Sequence, residues 1–123
     1  RGTLVDVMGI EYTEVGDNFL RGRMPAERRN FQPAGIVHGG ASVVLAESLG
    51  SCAAAFTVDL ATQRVVGQEI NANHIRSVTQ GWVTGTARPI HLGRRSQIWG
   101  IEMVDDRGKL TCISRLTIAV VEA

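Results

Sequence analysis

The sequence has few of the residues that build metal, redox or disulfide sites. Its 123 residues include two cysteines, Cys52 and Cys112, and three histidines. Neither an H-E-x-x-H pattern nor a Cys/His cluster at zinc spacing occurs, and there is no P-loop or G-x-G-x-x-G motif. We therefore expect the protein to use neither a metal nor a cofactor. Both cysteines are expected to be buried free thiols in a reducing compartment.

Charge and hydropathy exclude two classes of partner. Thirteen Lys and Arg residues against twelve Asp and Glu residues give a net charge of +1, which indicates no nucleic-acid partner. No apolar run reaches the roughly 20 residues that cross a bilayer, and no signal peptide is recognisable. We therefore expect a cytoplasmic protein without membrane contact. The first residue is not methionine, and the sequence leaves open whether the N-terminus is trimmed.

The serine nucleophile of an α/β-hydrolase is also missing. Gly40-Ala41-Ser42 begins a G-x-S-x-G elbow, but Val44 stands where the last glycine is required. The sequence therefore does not support a serine hydrolase.

The segment from Ala41 to Phe56 predicts a buried α-helix. It contains no proline, it is rich in alanine and leucine, and apolar residues lie on every side of it. A helix that is apolar all round is normally buried. Small residues such as Gly50 and Ala53 would let a sheet approach it closely.

Glu47 is the one charged residue of this helix. An ionised carboxylate in a core is costly unless donors or an opposite charge hold it. We therefore expect either a raised pKa or a carboxylate held by nearby donors. Such a glutamate is either structural or catalytic, since perturbed acids also cluster at functional sites, and the residues alone leave both interpretations open.

His38, Gly39 and Gly40 stand where this helix begins. The first N–H groups of a helix lack internal partners and carry the positive end of its dipole, and glycines let a ligand oxygen come close. This pattern suits a site that polarises a carbonyl. Two glycines also suit a plain tight turn, and His38 by itself also suits a structural role.

The spacing of Gly40 and Glu47 has a geometric consequence. They are seven residues apart, about 10 Å along a helix axis, whereas reacting atoms must approach to about 3–3.5 Å. If both groups act on one carbonyl, two chains are needed, each supplying one half of the site.

The remaining segments predict short strands around the helix. The predicted strands are 10–15, 18–24, 65–78, 82–89, 97–104 and 109–121, after a short apolar segment at 4–8. Residues 91–96 read as a basic turn. In the third strand, the residues expected on one face by two-residue alternation are Ile70, Ala72, His74 and Arg76. Five or six antiparallel strands around one helix make an α+β protein, and we expect one domain over residues 1–123.

The stretch from Gln32 to Ser48, QPAGIVHGGASVVLAES, resembles the signature of hotdog-fold acyl-CoA thioesterases of the 4-hydroxybenzoyl-CoA thioesterase type. That type carries a glutamate on its central helix. The likeness covers nearly the whole chain, including 66–67, 71–74 and 91–94. It is strongest to the branch of the 1,4-dihydroxy-2-naphthoyl-CoA thioesterases and the enterobactin-pathway proofreading thioesterases. The resemblance implies a hotdog fold and hydrolysis of an acyl-CoA thioester, with an aromatic acyl group.

The resemblance also implies site residues. The catalytic ones are Gln32, His38, Gly39, Gly40, Glu47 and Ser51. A glycine N–H would bind the thioester carbonyl, while Gln32 and His38 would hold it or the thiolate side. Glu47 of the partner chain would act as nucleophile or as general base, and the sequence does not choose between them. Ser51, one turn later, either orients the carboxylate or only permits close packing.

Two further stretches are expected to bind the coenzyme A part of the substrate. They comprise Gly67, His74, Ile75, Arg76 and Ser77, and then His91, Leu92, Gly93, Arg94, Arg95 and Ser96. Guanidinium and hydroxyl groups suit its phosphates. Taken alone the arginines favour a solvated turn, and the resemblance reverses that interpretation.

We therefore expect a homo-oligomer that binds a small acyl-CoA molecule: a dimer with shared active sites, paired into a dimer of dimers. The alternatives are a non-catalytic acyl-CoA-binding module on the same fold and a hotdog dehydratase, which pairs a histidine with an aspartate. The set Gln32, His38 and Glu47 favours hydrolysis over both. The acyl pocket is made of generic residues such as Val44 and Cys52, so the acyl group and the choice between coenzyme A and a carrier protein stay open.

Overall fold

One long helix packs against one antiparallel sheet in the computed structural model, which describes residues 2–123. The elements are α1 (Leu4–Val7), β1 (Glu11–Val15), β2 (Leu20–Pro25), a 3₁₀ turn (Arg28–Asn30), α2 (Gly39–Ala55), β3 (Gln63–His74), β4 (Trp82–Leu92), β5 (Ser96–Val104) and β6 (Leu110–Glu122). The predicted apolar segment at 4–8 is thus the short helix α1.

The six strands form one sheet in the order β1-β2-β4-β5-β6-β3, and every neighbouring pair is antiparallel. The first and third strands of the chain are therefore the two edges. This confirms the predicted α+β architecture of one long helix against an antiparallel sheet of five or six strands.

The core lies between α2 and the sheet. Leu45 and Leu49 of the helix are fully buried, as are Ile101, Met103 and Leu116 of the strands that face them. Burial of each such side chain stabilises the fold by about 1.5–3 kcal/mol.

Two strand glycines make room for the helix. A Cβ on Gly22 or on Gly85 would come within 2.8 Å of the Leu49 side chain. Only glycine at these two positions lets the strands approach α2 so closely.

The expectation that α2 is buried on all sides is wrong for the single chain. Glu47 is exposed, and Phe56 at the end of the helix is 67% exposed. The sheet covers one side of α2 and leaves a stripe on the other, which we call the open face. It consists of Val44, Glu47, Ser48, Ser51 and Cys52, which are exposed or half-buried and lie at the i, i+3, i+4, i+7, i+8 spacing of one helix side.

Strand β3 ends four residues earlier than predicted, at His74 rather than Val78. The N–H groups of Ile75 and Arg76 both donate to the Thr111 carbonyl, at 2.8 and 3.2 Å. Two donors on one acceptor end the ladder, so the chain leaves the sheet and Arg76 does not share the strand face.

The basic turn is also shorter than predicted. His91 and Leu92 belong to β4 and Ser96 begins β5, so only residues 93–95 turn. The Gly93 N–H closes this turn by donating to the Ser96 carbonyl at 2.9 Å.

Candidate active site

The N-terminus of α2 opens into a cleft of about 280 Å³. Of the predicted site residues, Gln32, Gly39 and the run 74–77 line it. Residues from the loop before the helix, from the helix itself and from the end of β3 thus meet at one place. The sequence had assigned them to two different groups, catalytic and coenzyme-binding.

His38 caps the helix with its side chain. Its Nδ1 accepts a hydrogen bond from the Gly40 N–H at 2.8 Å. Because an accepting nitrogen carries no proton, the proton of the neutral ring is on Nε2. His38 is exposed, so this N–H can donate to another molecule. The expectation that the Gly40 N–H is available to a substrate is therefore wrong in this structure, because the cap uses it.

Gly39 keeps the open donor. The N–H groups of Ala41 and Ser42 donate to the His38 carbonyl, and no residue within 2–123 accepts from the Gly39 N–H. A Cβ on Gly39 would stand 3.0 Å from Nε2 of His74. The absence of a side chain therefore brings an imidazole and an unused helix N–H side by side at the cleft.

Gln32 is oriented by a tight turn. Its N–H donates to the Ile36 carbonyl and its carbonyl accepts from the Gly35 N–H, each at 2.9 Å. Gly35 has φ of +84°, the left-handed conformation that favours glycine. The side-chain Oε1 of Gln32 accepts from the Ala34 N–H, which leaves the amide NH₂ group as a donor for the cleft.

Glu47 lies two turns further along α2, on the open face. The carboxylate rests against β3: its Oε2 is 2.6 Å from the position that a Cβ would take on Gly67. The prediction of a buried carboxylate is wrong for the single chain, because the sheet does not cover this side of the helix. No hydrogen bond joins Ser51 to Glu47 among residues 2–123, so its orienting role stays a prediction.

Gly67 is separated from the other residues of its predicted stretch. It pairs with Ile118 of β6, which pairs with Gln97 of β5, whereas His74 pairs with Cys112 at the other end of the ladder. Glu47 and Gly67 therefore lie toward the end of the sheet that carries the basic turn, away from the cleft.

The basic turn lies near the C-terminal end of α2. Gly93 and Arg94 line a second cleft of about 200 Å³ together with Thr57, which follows the helix. Among the described residues the guanidinium groups of Arg94 and Arg95 contact no acidic side chain. Both charges are therefore available to an anion.

Arg76 is less free. Its Nη1 donates to the Leu110 carbonyl at 2.7 Å, which fixes the guanidinium at the rim of the first cleft. This bond uses one of the five N–H donors of the guanidinium group.

Two polar residues of the cleft were missed by sequence reasoning. Ser42 and Thr111 line it and are 8% and 4% exposed. Ser42 carries a readable signal, a hydroxyl in the first turn of an apolar helix. Thr111 carries none, because its position depends on the register of β6.

Two negative findings complete the geometry. Across residues 2–123 no three His, Cys, Asp or Glu side chains cluster as metal ligands would. No helix in that range has the length and apolar character to span a membrane.

Comparison with known proteins identifies the family. Residues 34–112 match the Thioesterase superfamily. Over 119 residues the chain is 50% identical to a 1,4-dihydroxy-2-naphthoyl-CoA hydrolase of Escherichia coli, covering 97% of this chain and 87% of that protein. It is 52% identical over 119 residues to the proofreading thioesterase EntH of Cronobacter turicensis, covering 97% and 86%.

Solved structures agree. A variant of thioesterase PA1618 from Pseudomonas aeruginosa superposes with a TM-score of 0.98 at 48% identity, covering 99% of this chain and 88% of that one. Thioesterase HI1161 from Haemophilus influenzae gives 0.95 at 43% identity, covering 98% and 84%. The predicted resemblance is confirmed: the chain belongs to the thioesterase superfamily and is a hotdog-fold thioester hydrolase.

Proposed function

We propose that this protein hydrolyses acyl-CoA thioesters with an aromatic acyl group, releasing the free acid and coenzyme A. The observation that carries the proposal is the pairing, on one helix, of an unused N–H at Gly39 with an exposed carboxylate at Glu47. The Gly39 N–H polarises a carbonyl, and the Glu47 carboxylate attacks that carbonyl or activates water. The relative named for a 1,4-dihydroxy-2-naphthoyl-CoA substrate supports an aromatic group.

The polarising half consists of the cleft at the start of α2. The thioester carbonyl accepts a hydrogen bond from the Gly39 N–H, where the helix dipole favours developing negative charge. The free NH₂ of Gln32 and the Nε2–H of His38 are further donors for the oxyanion or the departing thiolate. His38 also holds the first turn in place through Gly40.

The attacking half consists of Glu47, and it comes from a second chain. Gly39 and Glu47 are eight residues apart, about 12 Å along the helix axis, so they cannot meet on one carbonyl within one chain. A carboxylate that lies exposed beside Gly67 is accessible to a substrate held by a partner. Ser51, one turn on, would orient the carboxylate or the water.

The edge strand β3 supports a specific dimer. Among the described strands it pairs only with β6, and a long free edge is a template for another chain. A bulge between Gly67 and Glu69 leaves both Gly67 and His74 facing α2, since they adjoin Glu47 and Gly39. If residues 68 and 69 at the bulge are counted as one position, Asn71 lies midway between Gly67 and His74.

Antiparallel pairing of β3 with its own copy around Asn71 would bring the two halves together. Gly67 would then stand opposite the second copy's position 74, and Glu47 would stand beside that copy's helix N-terminus. A two-fold axis preserves the faces of both strands, so both helices lie on the same side of the joined sheet.

We further propose that these dimers pair into tetramers in the cytoplasm. The outward side of the sheet exposes Ile90 and Ile113, which are 61% and 41% exposed, a surface that suits burial against a second dimer. Cys52 and Cys112 are free thiols, which suits a reducing compartment.

The test is a hydrolysis assay with aryl, phenylacetyl and aliphatic CoA thioesters, comparing wild type with Glu47→Ala. We expect the aryl thioesters to be the best substrates and Glu47→Ala to lower kcat by at least about 10³. Glu102→Ala, an exposed glutamate on β5, is the matched control. A Glu47→Ala variant that keeps a tenth of wild-type kcat would reject the catalytic role. A wild type that binds acyl-CoA without turnover would favour the binding module instead.

A mixing experiment tests the shared site. Glu47→Ala and Gln32→Ala chains, dissociated and reassociated together, should regain part of the activity that each lacks alone. Some mixed dimers then hold one site with both intact halves. Verified mixed dimers without recovery would show that each chain carries a complete site.

A further inference from the structure

Tyr12 is the only tyrosine of the chain, and the register of β1 turns it toward α2. It stands opposite Gly22 of β2, and residues directly opposite share a face of the sheet. Gly22 faces the helix, because a Cβ there would meet Leu49 at 2.8 Å. The phenol of Tyr12 therefore lies on the helix side of an edge strand, next to a position that has no side chain.

Cys52 lies one helical turn after Leu49, the residue that faces Gly22, and its thiol interacts electrostatically with the Tyr12 hydroxyl. Burial, and then the Cys52 thiol, raise the pKa of Tyr12, and burial raises the pKa of Cys52. Both groups therefore stay neutral at physiological pH. Tyr12 is 45% exposed, and no residue within 2–123 forms a hydrogen bond with its hydroxyl. The phenol thus offers an unused polar group at the edge of an uncharged surface.

This surface continues from the carboxylate. Ser48 and Cys52 follow Glu47 by one and five residues on the same open face, so Cys52 lies about 7.5 Å further along the helix. Cys52 is partly buried and packs against the core. An acyl group whose carbonyl is next to Glu47 can lie along Ser48 and Cys52 and end at Tyr12. That length suits one aromatic ring with one substituent.

We propose that Tyr12 forms the far wall of the acyl pocket and is a specificity-determining residue, whose hydroxyl binds a hydrogen-bonding substituent on the aromatic acyl group. This inference rests on the proposed function and extends it to hydroxylated aryl thioesters. Tyr12 takes no part in the chemistry at the carbonyl.

The test compares wild type with Tyr12→Phe on benzoyl-CoA and on its 2-, 3- and 4-hydroxy derivatives. Loss of one hydrogen bond to the substituent should lower kcat/KM about tenfold for at least one hydroxylated substrate. For benzoyl-CoA the change should stay within about twofold. General damage to the fold would lower all four alike, so the ratio between substrates isolates recognition.

Val15→Ala is the matched control, since Val15 lies on the same strand and is 63% exposed; it should leave every ratio unchanged. An unchanged ratio for all three hydroxylated substrates in Tyr12→Phe overturns the inference while leaving the proposed function intact. A wild type without turnover of any of the four substrates overturns the proposed function, and the inference with it.

Discussion

Gly67→Ala is the most direct test of how β3 positions Glu47, the carboxylate that we propose is catalytic. A Cβ at this position would stand 2.6 Å from Oε2 of Glu47, whereas ordinary contacts begin at 3.4 Å. The carboxylate must therefore retreat by about 0.8 Å. Misplacement of a reacting group by about 1 Å can cost about 10²-fold in rate, so we expect kcat to fall about a hundredfold.

The fold should tolerate this change. Gly67 does not have a positive φ, so alanine fits its backbone. After the Glu47 carboxylate, the nearest neighbour is the Leu116 side chain, at an ordinary 3.7 Å. Alanine is also favoured over glycine within a strand by roughly 0.5–1 kcal/mol. We therefore expect a Tm equal to or above that of wild type.

The assay is steady-state kinetics on an aryl-CoA thioester, together with thermal unfolding. Gly100→Ala is the control, since a Cβ there meets only the exposed Ile90 side chain at 3.2 Å and the Arg88 carbonyl oxygen at 4.0 Å. The double variant Gly67→Ala/Glu47→Ala should be no slower than Glu47→Ala alone, because the first change acts through the carboxylate. A Gly67→Ala enzyme with more than half of wild-type kcat would refute the reasoning.

Three further outcomes are expected. In the proposed pairing Asn71 faces its own copy, and facing residues of antiparallel strands have Cα atoms about 4.5–5.5 Å apart, so Asn71→Cys should form an intermolecular disulfide on oxidation. Asn73→Cys should not form one. The reverse result would contradict the proposed pairing. Arg94→Ala should raise KM for a CoA thioester about tenfold with little change in kcat. The effect should vanish for a truncated thioester that lacks the phosphates. An equal loss of activity on both substrates would assign Arg94 to the fold. Burial raises the pKa of the Cys52 thiol, so alkylation of Cys52 at pH 8 should be slower than that of a free cysteine and should accelerate as the pH rises, with loss of activity. The buried Cys112 should react only after unfolding. Alkylation of Cys52 that is faster than that of the free thiol would contradict the raised pKa.

The helix and the alternation of the strands could be predicted because both depend on local patterns. Ala41 to Phe56 contains no breaker, and the observed helix differs from that range by one or two residues at each end. Ile70 and Ala72 lie half-buried on the inner side of β3, as two-residue alternation predicts. The helix and the strand alternation depend on residues that are close in sequence, so they can be predicted from the sequence of one chain.

Features set by contacts between distant residues could not be predicted. Strand β3 ends at His74 because the Thr111 carbonyl, far along the chain, takes two successive N–H donors. Glu47 is exposed because an edge of the sheet falls beside it, and strand order is not encoded in hydropathy. From its sequence alone, an apolar helix with one carboxylate is predicted to be fully buried, because the sequence does not show the open face. We propose that a second chain covers that face.

Of the two glycine N–H groups at the start of α2, one has no acceptor within residues 2–123 and is open to the proposed carbonyl contact. The sequence His38-Gly39-Gly40 offers two glycine N–H groups to a substrate and does not distinguish them. The cap uses one of them, since Nδ1 of His38 accepts from Gly40, and the His38 carbonyl accepts from the next two residues. Gly39 alone keeps an open donor, and it is also the glycine whose missing Cβ leaves room beside His74. In the proposed mechanism Gly39 serves access to the carbonyl-binding donor, whereas Gly40 serves the cap, so substitutions at the two positions are expected to have different effects.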